Sequence, residues 1–114
     1  MQWGMMKALL IDEDPNHATH LERSINRRGV VTSWTNSVRE AIGRLRGREA
    51  SFDLVVLSIG ERSQRWIEIL HKLQQAAWQP GVSEFPIFLC VSRLSLGVEF
   101  QLQVERMGAR LVHE

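Results

Sequence analysis

Cysteine is scarce in this chain. Cys90 is the only one in 114 residues, so no disulfide can form within it. The apolar run around Cys90 marks a buried, inert thiol, which suits a reducing compartment and makes the cytoplasm the expected location. Long hydrophobic runs are missing too. No stretch approaches the ~20 residues that a membrane-spanning helix needs. Met1 to Met6 lacks the shape of a secretory signal, because the nearest basic residue, Lys7, follows the apolar part. Charge of one sign is also in short supply. Formal net charge is +1 and the arginines are spread along the chain, so electrostatics argues for neither a nucleic-acid nor a membrane partner. Arg44, Arg46 and Arg48 cluster, but Glu40 and Glu49 dilute them into a solvated face. No glycine-rich phosphate loop follows the first apolar run, and no nucleophile–base set is visible, which argues against an enzyme. No helix-turn-helix or basic segment is present, which argues against direct transcription control.

What is present is an ordinary globular composition, 44% hydrophobic and 24% charged. That length makes one domain, residues 1–114, with a real core and little to spare. Lys7 to Ile11 is a short apolar run stopped by Asp12, Glu13 and Asp14, which suits a buried parallel strand. Asp14-Pro15 starts a helix, with Asp14 as its cap and Ala18, Leu21 and Ile25 at helical spacing. Gly29 ends that helix, and the β-branched stretch Val30 to Thr35 forms a second strand. Asn36 or Ser37 caps a second helix whose apolar stripe is Val38, Ala41, Ile42 and Leu45. Asp53 to Ile59 is the third strand, and a third helix runs from about Gln64 to Ala77, with Trp66, Ile67, Leu70, Leu73 and Ala77 on one side. Trp78 to Phe85 is a loop, Pro86 to Ser92 a fourth strand, and Leu111-Val112 begins a fifth. Alternating strands and helices make a small doubly wound α/β domain with a parallel sheet, whose sites form at the carboxyl ends of the strands. Asp12, Glu13, Asp14 and Ser58 belong to that edge. Leu96 to Glu105 alternates apolar and other residues as a strand does, yet as a helix it aligns Leu96, Phe100, Val104 and Met107 and leaves Val98 and Leu102 on another flank.

The acid-ended run Ala8-Leu-Leu-Ile-Asp-Glu-Asp14 and the run Asp53-Leu-Val-Val-Leu-Ser58, with their order and spacing, resemble the CheY-like response-regulator receiver domain of two-component signalling. Pro86-Ile-Phe-Leu89 and Gly108-Ala109 match it as well, so the resemblance covers the chain from Lys7 onward. It implies a five-stranded flavodoxin-like sheet of order 2-1-3-4-5, with Leu96 to Glu105 as its fourth helix. The fifth helix that normally closes such a domain is missing. It also implies a divalent cation at Asp12 and Glu13, a phospho-acceptor at position 58, a hydroxyl after strand four and a lysine after strand five.

Here the acceptor position is Ser58, and an alcohol is a poor nucleophile without a base. Val91 falls on the hydroxyl position with Ser92 one residue later, and Arg110 to Glu114 contains no lysine. Glu61 and Arg62 replace the usual Met-Pro pair. Asp14, Gly60, Trp66, Val91 and Ser92 border the site, where Trp66 stands in place of a glycine and could plug the phosphate pocket. With Ser58 contributing no carboxylate, Mg²⁺ binding at Asp12 and Glu13 is expected to be weak, and no cofactor is required. His17 and His20 could share a helix face and are expected to be exposed; Trp34 is expected in the core.

The expected function is that of an atypical receiver acting in two-component-type signal transduction as a phosphorylation-independent protein-interaction module. The alternatives are a metal-binding receiver or a small flavodoxin-like enzyme. An uncovered sheet face calls for a protein partner or a second copy. Val98 and Leu102, with the C-terminal edge, are the expected interface.

Overall fold

The computed structural model describes residues 6–47, 51–60, 65–78, 85–93 and 96–114. Met1 to Met5, Arg48, Glu49, Glu61, Arg62 and Gln64 lie outside the described residues. The elements are β1 (Met6–Ile11), α1 (Pro15–Asn26), β2 (Val30–Thr35), α2 (Val38–Arg46), β3 (Leu54–Ile59), α3 (Trp66–Ala77), β4 (Ile87–Ser92), α4 (Gly97–Arg106) and β5 (Arg110–His113). All five strands pair in parallel, in the order β2-β1-β3-β4-β5. This is the doubly wound arrangement expected from the alternation and the resemblance, with four helices among the described residues.

Local chemistry sets the element ends. The Asp14 carboxylate caps α1, accepting from the backbone N–H of Asn16 at 3.0 Å and of His17 at 3.4 Å, and Pro15 opens the helix. Ser37, not Asn36, caps α2, accepting from Glu40 N–H at 3.2 Å. Gly29 and Gly108 take the left-handed φ that closes the turns after α1 and α4, a conformation other residues adopt only under strain. At the amino edge of the sheet, Asp53 stitches three strands together. Its carboxylate accepts from Lys7 N–H and its own N–H donates to Lys7 C=O, both at 2.8 Å, while its C=O accepts from Ile87 N–H at 2.9 Å. Asp53 therefore sits at the opposite edge from Ser58.

The central strands are apolar because they are covered on both faces. On one face, α2, α3 and α4 press Ala41, Leu45, Trp66, Leu70, Leu73 and Val104 onto Leu9, Leu57, Ile59 and Phe88. Each fully buried leucine there contributes about 1.5–3 kcal/mol. On the other face, among the described residues, α1 is the one covering helix, with Ala18 and Leu21 over Leu10, Val56 and Val91. Beyond its cover, Ile87 and Val112 remain exposed on β4 and β5.

The alternating segment is a helix, with Val104 buried and Leu96, Phe100 and Met107 packed against the core, as the helical reading requires. Val98 and Leu102 face away, 70% and 46% exposed. Ala77 packs against the core at the end of α3 as expected, and Ala76 lies deeper still. One detail differs from expectation. Trp34 is exposed instead of buried: it lies on the edge strand β2, where the neighbouring position Thr35 takes the inward side.

Candidate functional site

Parallel strands end together, so their carboxyl ends bring Asp12, Ser58, Ser92 and Glu114 to one edge. The β1–β3 register pairs Ile11 with Leu57, and the β3–β4 register pairs Ser58 with Val91. Asp12 therefore follows directly beside Ser58. Beyond β5, Glu114 N–H donates to Ser92 C=O at 2.8 Å, which brings the end of the chain to the same edge.

His17 sits in the middle. The helix cap at Asp14 starts α1 immediately after β1, and the first turn of the helix points His17 inward, where it is buried. This overturns the expectation of an exposed histidine; its neighbour His20 is exposed, so the two do not share a face in practice. His17 Nδ1 lies 2.5 Å from Asp12 Oδ2 and 3.1 Å from Ser58 Oγ. His17 Nε2 lies 2.6 Å from Glu114 Oε1. An ionised carboxylate only accepts, so each ring nitrogen is placed to donate to the ionised carboxylate that faces it.

That geometry decides what Ser58 can do. Ser58 and Asp12 meet the same ring nitrogen. A proton on Nδ1 is required by Asp12 and forbids Nδ1 from taking the proton of Ser58. The other nitrogen faces Glu114. A serine triad instead places the serine and the carboxylate on opposite nitrogens of the ring. The three residue types of a triad are present, and their arrangement leaves Ser58 without a general base.

Asp12 is fully engaged. Its Oδ1 accepts from Asp14 N–H at 3.0 Å while Oδ2 meets His17, and its backbone C=O accepts from Trp34 Nε1 at 3.0 Å. Trp34 thus has a structural role from the edge strand: its indole N–H pins the end of β1. Glu13 and Asp14 are exposed. Asp14 spends its carboxylate on the helix cap and lies 3.9 Å from Arg93 Nη2, a long contact at the rim. Among the described residues, no group of three or more histidine, cysteine or acidic side chains is placed to hold a metal ion.

Of the remaining positions, Val91 and Ser92 are buried at the end of β4, and Gly60 is exposed just past β3, with open space where a Cβ would stand. Trp66 is buried with Leu57 and Ile59 in the core beneath α3, and the side chain lying against Ser58 is that of His17. Cys90 is buried, and burial pushes its thiol up to about 12, so it is inert at neutral pH. His17 and Glu114 are the site residues that sequence reasoning missed. The position of His17 in the first turn after the acidic strand end was the available signal.

No protein-family model matches the sequence, and no curated protein sequence matches it. Solved structures do resemble it. A protein described as pilus assembly-related from Burkholderia pseudomallei superposes with a TM-score of 0.73 at 23% identity, covering 98% of this chain and 79% of that one. Chemotaxis protein CheY4 of Vibrio cholerae gives a TM-score of 0.74 at 16% identity, covering 97% of this chain and 88% of that one. A B. pseudomallei response regulator with a phosphorylated aspartic acid and a calcium ion gives 0.69 at 21% identity, covering 93% of this chain and 57% of that one. Sheet order, helix placement and these neighbours agree: the chain has the CheY-like fold of response-regulator receiver domains.

Proposed function

We propose that this chain is a receiver-type module of two-component signalling that works without aspartyl phosphorylation and passes its signal by binding another protein. The observation that carries this reading is Ser58. It stands at the buried end of β3, beside Asp12, where the receiver resemblance calls for an acceptor carboxylate. A serine there forms no acyl phosphate, and with His17 Nδ1 committed to Asp12 it has no base to make it a nucleophile. Output through binding is supported by α4, where Val98 and Leu102 are apolar, exposed and free of any core role.

The test is to add Mg²⁺ with beryllofluoride or acetyl phosphate and follow backbone amide shifts around Asp12 and Ser58. The expected result is no saturable change. A saturable response centred on those two residues would show a working phosphorylation switch and end the reading.

A further inference from the structure

The receiver resemblance implies a divalent cation at Asp12 and Glu13, and the donors present do not fit one. A hard divalent ion needs about six oxygen ligands at roughly 2.0–2.6 Å, several of them ionised. Asp12 Oδ2 is 2.5 Å from His17 Nδ1, and Oδ1 accepts a backbone N–H at 3.0 Å. Ser58 offers a neutral oxygen, itself 3.1 Å from the same ring nitrogen. Glu13 is exposed, and the Asp14 carboxylate is the helix cap. An ion drawn to Asp12 would meet an imidazole ring already in its place, with ring N–H groups where the ion needs oxygen.

From this we infer that His17 is the built-in cation of the site. Its ring takes the place of a divalent ion beside Asp12, and through Glu114 it moors the end of β5 to the β1–α1 corner. Three strand ends are then held by one side chain: β1 through Asp12, β3 through Ser58 and β5 through Glu114. A receiver that depends on a soluble ion for this charge can exchange it. One that carries the charge covalently on α1 cannot. The site is locked in one arrangement irrespective of the ion concentration around it. This holds whether or not the output of the domain runs through binding.

The experiment compares Ser58→Asp alone with Ser58→Asp combined with His17→Ala, using Mn²⁺ as the probe and paramagnetic broadening of the amides of residues 12 and 58 as the readout. If His17 holds the cation position, Ser58→Asp alone gives no saturable broadening, because the new carboxylate pairs with the ring. The double variant gains binding by about tenfold or more, some 1.4 kcal/mol. Equal Mn²⁺ binding by the two variants overturns the inference. A second measurement needs no substitution. In the ¹⁵N-histidine-labelled protein, both ring nitrogens of His17 are expected to show protonated imidazolium shifts at neutral pH. A bare nitrogen at either position overturns it. A response of the wild-type chain to beryllofluoride would sink the proposed function, whereas these two readouts concern His17 alone.

Discussion

His17 and Glu114 are 97 positions apart in the chain and 2.6 Å apart in space, Nε2 to Oε1. The contact closes the carboxyl edge of the sheet. It links the first turn of α1 to the far end of β5, across a strand order in which β1 and β5 are not neighbours. The same ring reaches Asp12, whose side chain is 5% exposed, while that of Glu114 is 26% exposed. Depth therefore separates the two pairs energetically: the Asp12 side is the costly one to break, and the Glu114 side is partly screened by solvent.

Replacing His17 by alanine leaves the Asp12 carboxylate buried with no counter-charge. Removal of one partner of a buried pair costs about 3–5 kcal/mol, a large share of the total stability of a small domain. Urea unfolding is expected to show a loss of this size for His17→Ala. Glu114→Gln should lose only ~1 kcal/mol or less. Equal losses for the two variants would contradict the division of labour around the ring.

Asp14 is predicted to act as a helix cap and not as a cation ligand. Its carboxylate accepts from Asn16 N–H at 3.0 Å. Asp14→Ala should cost ~1 kcal/mol, and Asp14→Ser, which restores a capping oxygen without a charge, should recover most of it. Denaturation in the presence and absence of Mg²⁺ checks both parts. The expected midpoints do not move with the ion.

Val98 and Leu102 are exposed on α4, so aspartate should change stability by no more than about 0.5 kcal/mol at each position. The same double substitution should abolish self-association in light scattering, or retention of the cognate protein partner. A variant that folds normally and still associates would move the interface elsewhere, with the exposed Ile87 and Val112 the next surface to test.

Cys90 sets a pH-dependent term. Burial raises its thiol from 9.0 to about 12, so the folded protein keeps the proton where the unfolded chain releases it. Below pH 9.0 the thiol is protonated in both states and contributes no slope. As pH rises from 9.0 towards 12, the unfolded state binds fewer protons and stability falls. Cys90→Ala should flatten that alkaline slope in a pH series of urea titrations. At neutral pH, iodoacetamide should label the thiol only on unfolding.

Much of this was readable from residue order. Strand ends were marked by Asp12 and Ser58, helix starts by Asp14-Pro15 and by Asn36 or Ser37, and the first helix stop by Gly29. Each rests on chemistry within a few residues, such as a side-chain oxygen against a free N–H or a glycine where φ is positive. The segment from Leu96 to Glu105 was harder. Its alternation matched a strand, and the sheet it packs against made it a helix. Trp34 went the other way: an aromatic expected in the core lies exposed on edge strand β2, its indole pinned to the Asp12 carbonyl.

Outside Leu96 to Glu105, the sequence by itself determined the alternation of strands and helices, the parallel sheet and the presence of Asp12 and Ser58 at its carboxyl edge, because periodicity and caps are local properties. Only the tertiary structure decided that His17 is buried between them and tied to Glu114. The environment of that histidine is made by α1 packing across the sheet and by β5 arriving beside Ser92. No local pattern carries the position of a strand formed nearly a hundred residues later.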